Sequence, residues 1–308
     1  MRPDPGGAGT GARVSGDTGP ADRDPGDKGI LRPREQSRYR SLRRLPPGQA
    51  AGRFVNWYWL VDWDLRGRPA YRAEVLSFPS VNLTFEQSPT RTGAFVTGVT
   101  TARYIRELTG VGRVFGVRFR AGGFAAHTGV DVGALRDRSL ALAELFPDAG
   151  DITERVLAEP DDAARRELVE GWLAVRTVEP DEVYRLVLRI VAAMEHDREL
   201  TRVDQVTTRF GVSIRTLQRM FARYVGANPK WVLRRYRLQD GAELLARGAV
   251  TDLAALAAEL GYFDQAHFCR EFVAEIGMPP SEYARHSAEA AAGFASGPLE
   301  DVAANSSG

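Results

Sequence analysis

Residues 217–226 read LQRMFARYVG, and residues 268–277, 51 positions further along the chain, read FCREFVAEIG. Both copies have an arginine third, a phenylalanine fifth and a glycine last, and a proline follows three residues after each glycine. The apolar spacing predicts an amphipathic helix in each copy, closed by a residue that tolerates the left-handed conformation of a helix end. A shorter helical stretch and a tight turn precede each copy, so the repeat predicts two helix-turn-helix units in tandem.

Capping and turn residues divide the two units into elements. The predicted elements are a helix over 203–210, a turn at Gly211, a helix over 214–224 capped by Ser213, a linking helix over 229–245, a helix over 253–260 capped by Asp252, a turn at Gly261 and a helix over 265–276 capped by Asp264. The linking helix can pack on both units and fix their separation. Two helices read one face of DNA only if about one helical turn, roughly 34 Å, separates them.

The second helix of each unit carries side chains suited to base edges. Arginine pairs bidentately with guanine, glutamine pairs with adenine, and alanine can touch a thymine methyl group. The predicted DNA-contacting residues are Arg215, Gln218 and Arg219 in the first unit and Gln265, Ala266, His267 and Arg270 in the second. A solvated helix face is the alternative for either set alone, and the duplication favours DNA contact for both.

The net charge of +1 hides an asymmetry between the two units. Residues 198–237 contain ten basic and two acidic residues, whereas residues 238–287 contain three basic and eight acidic residues. We therefore expect the first unit to supply most of the phosphate attraction. Asp264, Glu271 and Glu275 lie on or beside the second unit's helix and would repel phosphates if they faced them. The second unit is expected to add specificity or positioning.

These motifs together resemble the AraC-type regulators over about residues 180–286. The resemblance rests on RTLQRMF at 215–221, the Gly226…Pro229 pair, Gly261-Tyr262, DQAHF at 264–268, REF at 270–272 and GMPP at 277–280. It implies a seven-helix domain that binds adjacent major-groove segments through the seven residues predicted above. Gly241 and Thr207 depart from the family, which usually has alanine at both places, and Gly241 is expected to cost about 1 kcal/mol of helix propensity.

The first half of the chain predicts short strands with flanking helices. Residues 53–63 are apolar on both faces, and residues 81–86 and 115–120 alternate between apolar and polar. This pattern favours a small β-sandwich or barrel. Trp57 and Trp59 are interpreted as sheet core, with a stacking platform for a ligand as the alternative. Arg118 and Arg120 are interpreted as a solvated or salt-bridged face, with an anionic effector site as the alternative.

A second resemblance concerns this β-rich half. It rests on LPP at 45–47, WYW at 57–59, FGVRFRAGG at 115–123 and DR at 137–138. These motifs resemble a poorly characterised N-terminal domain of some AraC-type regulators. The resemblance implies a cupin-like module for effector binding and dimerisation, without naming the effector.

The predicted fold class is therefore α+β in two domains, an N-terminal β-sandwich or barrel and a C-terminal all-α domain. Further helices are predicted over 139–146, 151–159 and 161–176, the last two capped by Asp151 and Asp161. The predicted organisation is a disordered tail over 1–37, a β-rich sensor or dimerisation domain over 38–150, a helical connector over 151–179, the DNA-binding domain over 180–287 and a disordered tail over 288–308.

Other classes of protein fit the sequence less well. An enzyme or metal site would need motifs that are missing, since the four histidines are far apart along the chain and only His127 is near the β-rich half. A protein-binding adaptor would not need the basic first unit. The single cysteine, Cys269, excludes a disulfide framework, and it is a candidate redox switch or, more commonly, a passive thiol.

We interpret the chain as a transcription regulator that reads double-stranded DNA. No cofactor, metal or membrane association is expected, and without a signal peptide or an apolar span the expected compartment is the cytoplasm. RNA polymerase, a small-molecule effector and a second copy of the chain are further candidate partners. The sequence leaves open the effector, the operator, activation or repression, and the oligomeric state.

Overall fold

The computed structural model describes residues 26–176 and 178–295, in which a β-rich half precedes a helical half. The strands are β1 (Ser41–Leu45), β2 (Val55–Leu65), β3 (Tyr71–Val75), β4 (Asn82–Gln87), β5 (Thr92–Thr97), β6 (Tyr104–Leu108), β7 (Gly110–Phe119) and β8 (Ser139–Ala141). The predicted α+β class, with strands first and an all-α second half, is confirmed.

Six strands form one antiparallel sheet in the order β1-β2-β7-β4-β5-β8, and β3 pairs with β6 in a second, two-stranded sheet. The two sheets line a common cavity, which makes the domain a small open sandwich. β2 is apolar on both faces because each face is covered. Tyr58 and Leu60 point into the main core, whereas Trp57 and Trp59 point into the cavity, so their interpretation as sheet core is wrong.

Five helices accompany the strands in the described part of the N-terminal half. They are α1 (Pro33–Gln36), α2 (Gly123–Thr128), α3 (Leu142–Leu145), α4 (Gly150–Ala158) and α5 (Asp162–Ala174). Asp161 caps α5 as predicted, by accepting a hydrogen bond from the Ala164 amide at 2.8 Å. The helix predicted over 139–146 is wrong in its first part, because residues 139–141 pair with β5 as strand β8. The cap predicted at Asp151 is also wrong, since α4 begins one residue earlier.

The helical half contains the seven helices that the family resemblance implies, within the described residues. They are α6 (Glu182–His196), α7 (Val203–Phe210), α8 (Ile214–Met220), which continues as a π-helical turn over Phe221–Val225, α9 (Pro229–Ala246), α10 (Leu253–Glu259), α11 (Gln265–Ile276) and α12 (Pro280–Ala295). The Ser213, Asp252 and Asp264 side chains cap α8, α10 and α11 as predicted. Gly241 lies where α9 meets the second unit, and a Cβ atom there would approach Leu260 Cδ1 to 3.0 Å.

Two large hydrophobic cores and a small third cluster between β2, β3 and β6 hold the described residues together, and the two large cores do not coincide with the predicted domains. The first is continuous from the six-stranded sheet through α4, α5 and α6 into the first helix-turn-helix unit, and it contains Tyr58, Val187 and Phe221. The second belongs to the second unit, with Leu31 and Leu76 added from the N-terminal half. The first unit is therefore built onto the β-rich half, and the predicted boundaries at 150, 179 and 287 stay predictions.

The predicted disordered tails are wrong where the structure describes them. Leu31 is 1% exposed in the second core, and Lys28 forms an ion pair with Asp240 of α9 at 2.7 Å. The buried Gln36 side chain donates hydrogen bonds to the carbonyls of Leu31 and Glu74. Beyond residue 287, α12 continues to Ala295. Residues 1–25 and 296–308 of the two predicted tails lie outside the described residues.

Candidate nucleic-acid interface

The first recognition helix, α8 with its π-helical turn, has one face in the core and one in solvent. Ser213 Oγ accepts a hydrogen bond from the Thr216 amide at 3.1 Å, which satisfies a free donor of the first turn. The predicted core face is confirmed, since Leu217, Met220, Phe221 and Tyr224 are all buried. The Tyr224 hydroxyl donates to Asp181 Oδ2 at 2.8 Å, and Asp181 also caps α6. This carboxylate fixes the recognition helix against the helix that precedes the unit.

The opposite face of the first recognition helix presents Arg215, Gln218 and Arg219 together, and all three are exposed. Arg223, one turn further on, is exposed as well. Among the residues that the structure describes, none of these arginines forms an ion pair. Their guanidinium groups are therefore available to phosphate or base oxygens. Contact with DNA stays a prediction.

The second recognition helix, α11, repeats this arrangement. Asp264 Oδ1 accepts a hydrogen bond from the His267 amide at 2.6 Å and caps the helix. Phe268 and Phe272 are fully buried, as predicted. The residues predicted to contact DNA, Gln265, Ala266, His267 and Arg270, are all exposed. Each recognition helix thus brings its predicted contact residues to the surface.

The acidic side chains of α11 are held inside the protein rather than on its outer face. Glu271 lies 3.2 Å from Arg234 Nε, and Glu275 lies 3.3 Å from Arg235 Nη2, both on α9. The Tyr262 hydroxyl donates a hydrogen bond to Glu271 at 2.8 Å. Burial raises the pKa of Tyr262, and the charge of Glu271 and this hydrogen bond raise it further. The expected clash between these carboxylates and phosphate is thereby relieved.

These ion pairs also change the interpretation of the opposite net charges of the two units. Arg234 and Arg235, counted as basic residues of the first unit, neutralise acidic residues of the second. Arg198 likewise pairs with Glu259 of α10. The opposite charges of the two units therefore hold the units together. The exposed cations of residues 198–237 that form no ion pair with a described residue are Arg215, Arg219, Arg223 and Lys230.

Sequence reasoning missed two exposed apolar residues beside the recognition helices. Ile214, at the start of α8, is 52% exposed, and Phe263, just before the cap of α11, is 92% exposed. Phe263 corresponds in the repeat to Val212, which packs against the first core. The signal was an aromatic residue before an N-cap, which usually packs against the fourth helical residue, here Phe268. Phe263 instead stands free beside the predicted DNA face.

The remaining features concern Cys269, possible metal ligands and possible membrane-spanning helices. Cys269 is half-buried and packs against the second core. Across residues 26–176 and 178–295, no group of three or more histidine, cysteine or acidic side chains is placed to hold a metal ion. Over the same residues, no helix combines the length and apolar character needed to cross a bilayer.

Comparison with known proteins assigns both halves to domain families. Residues 206–286 match a family described as "Helix-turn-helix domain", and residues 43–141 match one described as "Domain of unknown function (DUF6597)". The chain is 30% identical over 99 residues to an uncharacterized HTH-type transcriptional regulator of Haemophilus influenzae, covering 32% of this chain and 33% of that protein.

Two further relatives match a similar share of the chain. One is the HTH-type transcriptional activator RhaS of Escherichia fergusonii, 32% identical over 88 residues, which are 29% of this chain and 31% of RhaS. The other is a putative AraC-like transcription regulator of Streptomyces lividans, 32% identical over 120 residues, which are 38% of this chain and 37% of that protein. The match thus spans about a third of each of the three relatives.

Among solved structures, ToxT of Vibrio cholerae bound to (E)-4-(8-methylnaphthalen-1-yl)but-3-enoic acid aligns with a TM-score of 0.41 and 11% identity, covering 80% of this chain and 98% of that chain. A 1.65 Å structure of ToxT aligns with a TM-score of 0.40, covering 80% and 97%. The geometry of the two capped, half-buried helices and the sequence matches agree. Residues 206–286 of this chain match a helix-turn-helix domain, and they follow a stretch, residues 43–141, that matches the DUF6597 domain.

Proposed function

We propose that this protein is a sequence-specific, DNA-binding transcription regulator. The observation that carries the proposal is the pair of recognition helices, each capped at its N-terminus, buried along one face and exposing arginine and glutamine along the other. A solvated surface needs no such duplication. A protein that contacts two neighbouring segments of one major groove needs two recognition helices of the same kind.

The proposed mechanism divides the contacts by chemistry. Guanidinium groups neutralise phosphates and release counterions, which gives affinity that falls with salt concentration. Arg215, Gln218 and Arg219 of the first unit, with Gln265, Ala266, His267 and Arg270 of the second, read base edges in the major groove. The activity is binding, and we propose no catalytic step.

Loops of the N-terminal half reach the C-terminal end of each recognition helix, which supports control of DNA binding by that half. Arg136 Nε donates to the carbonyl of Gly226 at 2.6 Å, at the end of the first recognition helix. Arg103 donates to the carbonyl of Ile276, at the end of the second. A cation is favourable at both places because a helix C-terminus carries partial negative charge.

The two loops are also joined to each other and to the linking helix α9. Asp137 accepts hydrogen bonds from the amide and hydroxyl of Thr101, at 2.6 and 2.8 Å. The Thr101 carbonyl in turn accepts from Trp231 and Arg235 of α9, at 3.3 and 2.5 Å. A change in these loops would therefore reach both recognition helices, which is how an effector bound to the N-terminal half would act.

Double-stranded DNA is the primary partner in this proposal, and the place of action is the cytoplasm. RNA polymerase and a second copy of the chain are proposed as further partners. The name of the relative RhaS, a transcriptional activator, supports activation as the direction of control.

The proposal is tested by selecting bound fragments from a random double-stranded DNA library with the full-length protein. We expect a shared motif, and an affinity for it that falls steeply with salt concentration. Loss of this motif in the variant Arg215→Ala/Arg219→Ala, but not in Arg155→Ala, an exposed arginine on α4, supports the proposal. Failure to enrich any sequence contradicts it.

A further inference from the structure

The two sheets of the N-terminal half enclose a cavity of about 220 Å³. One wall is the inner face of the six-stranded sheet, where β2 contributes the indole rings of Trp57, Trp59 and Trp63. The other wall includes β3 and β6 of the two-stranded sheet. The DNA-binding units do not need this cavity for their own packing. Indole rings and charged side chains line it, which a simple packing defect would not require.

Two glycines of β7 shape the wall beneath the indoles. A Cβ atom on Gly116 would lie 2.0 Å from Trp59, and one on Gly112 would lie 2.2 Å from Trp63. The glycines therefore let both rings lie close against the sheet. The indole nitrogens already donate, Trp59 to Asn82 Oδ1 at 3.3 Å and Trp63 to the Thr109 carbonyl at 3.1 Å. What remains for a ligand is the apolar surface of the rings.

Arg118 is a cation of this cavity that forms no ion pair with a described carboxylate, although Glu195 acts on it electrostatically from further away. Its residue is 7% exposed, and its guanidinium lies 4.0 Å from the ring centre of Trp57 and 3.5 Å from that of Phe78. Nε donates to Ser80 Oγ at 3.0 Å, whereas Nη1 has no hydrogen-bond partner, and no described carboxylate lies within ion-pair distance. The interpretation of Arg118 as a solvated or salt-bridged residue is therefore wrong.

A buried charge of this kind is costly unless an opposite charge compensates it. Burial lowers the pKa of Arg118 to about 10, so the guanidinium stays charged at neutral pH. The two rings do not sandwich the guanidinium, because Trp57 and Phe78 are nearly perpendicular, with an interplanar angle of 86° and centroids 6.0 Å apart. A ligand carboxylate can pair with the guanidinium on a side that neither ring covers, where it accepts charge-assisted hydrogen bonds.

The other charged residues of the lining favour an anion. Glu86 is the one carboxylate among the lining residues, and it lies 3.0 Å from Arg106 and 3.7 Å from Arg91. Thr84 also donates a hydrogen bond to it at 2.8 Å. The remaining charged residues of the lining are Lys28, Arg40, Arg44, Arg106 and Arg118.

We propose that this cavity binds a small aromatic monocarboxylate, whose carboxylate pairs with Arg118 and whose ring lies on the indoles of β2. Its volume is below the roughly 300–1,000 Å³ of pockets for drug-sized ligands, which suits a molecule with one short side arm on a single ring system. As the effector site of the regulator, the assignment rests on the function proposed above. As a binding site, it stands on the cavity alone.

The cavity also borders the parts of the N-terminal half that contact the DNA-binding units. Phe78, which covers one face of Arg118, lies 6.5 Å from the ring of Tyr236 on α9. Lys28 lines the cavity and pairs with Asp240 on the same helix. Thr100 lines it immediately before the loop residue Thr101. A ligand on Arg118 would thus lie beside residues that contact the linking helix, and beside one of the two joined loops that reach the recognition helices.

The test compares indole-3-acetate with its uncharged amide, indole-3-acetamide, and phenylacetate with phenylacetamide. Binding to the full-length protein without DNA is measured by calorimetry and by tryptophan fluorescence. We expect each acid to bind about tenfold or more tightly than its amide, because the amide loses the charge-assisted pair. Arg118→Met is expected to remove this preference, and Arg155→Met, an exposed arginine outside the cavity, to keep it.

Equal affinities of acid and amide for the wild-type protein would overturn the proposal, and so would no binding of any of the four compounds. Because the acid and amide are compared on the wild-type protein, the test decides even if Arg118→Met does not fold. The DNA-selection experiment fails or succeeds independently, since no DNA is present here. Binding of the acids without any DNA selection would keep the ligand site and remove its role as an effector site.

Discussion

The two helix-turn-helix units share a backbone plan and differ in what surrounds it. The first continues the core of the β-rich half, and its recognition helix presents arginines without acidic partners among the described residues. The second has a core of its own, and its acidic residues Glu271 and Glu275 are bound to arginines of α9. Two units with the same backbone fold can therefore contribute unequally to DNA binding. We propose that the first unit supplies most of the affinity for DNA, while ion pairs with arginines of α9 hold the second unit in place.

The largest expected difference between the units is in DNA affinity. Arg219→Ala should weaken binding to the selected DNA about tenfold or more and relax its sequence preference, as the loss of a base contact does. Arg270→Ala, at the matching position of the second unit, should cost less, because fewer free cations surround it. Gel-shift titrations at several salt concentrations measure both, with Arg285→Ala of α12 as control. Equal losses for the matched pair would contradict the division of work.

The next difference concerns stability at the glycines that close the recognition helices. Gly226 and Gly277 have φ angles of +78° and +86°, so alanine at either place should cost about 1–2 kcal/mol. A Cβ on Gly226 would also meet Val132 Cγ1 at 2.8 Å, whereas one on Gly277 meets the movable guanidinium of Arg103.

Gly226→Ala should therefore lower the free energy of unfolding by about 1 kcal/mol more than Gly277→Ala. Denaturant unfolding of the full chain measures the difference. A larger loss for Gly277→Ala would show that the first unit is not the more tightly enclosed of the two.

A third difference is a response to pH in the first core. His127 of α2 is buried with its ring 5.0 Å from that of Phe54, and burial lowers its pKa below the usual 6.5. A lowered histidine pKa favours the unfolded state once the pH falls below the unfolded value. Stability should thus fall as the pH is lowered through about 6.5 in the wild type, and fall less in His127→Gln. Identical pH profiles in urea unfolding would contradict this.

The smallest expected difference lies at the residue before each N-cap. Phe263→Ala should change stability by less than about 0.5 kcal/mol, because the ring is exposed, but should weaken DNA binding a few-fold. Val212→Ala should cost more stability, because Val212 packs on the first core. Thermal melts and the same gel-shift titration separate the two effects. Unchanged DNA affinity in Phe263→Ala would remove this ring from the interface.

The sequence predicted what depends on local pattern. The caps at Ser213 and Asp264, the buried faces of both recognition helices and the seven-helix count follow from residues close together along the chain. Leu31 reads as part of a polar tail because, apart from Leu76, the other members of the second core are more than 200 residues away.

The candidate DNA-binding face and the cavity show the same difference between local and long-range information. The predicted contact residues reached the surface, but the charge count could not show that Arg234 and Arg235 are used to bind Glu271 and Glu275. Likewise, the apolar residues on both faces of β2 predict that both faces are covered, without showing that one of them lines a cavity. That depends on where β3 and β6 pack, and strand pairing is not local information.

The most direct test of the central claim is a hydroxyl-radical footprint of the full-length protein on its best selected DNA site. If both recognition helices enter neighbouring stretches of the major groove, two protected patches should appear on one face of the duplex, about one helical turn apart. Arg219→Ala should weaken the first patch and Arg270→Ala the second. A single patch, or protection that does not depend on DNA sequence, would contradict the account.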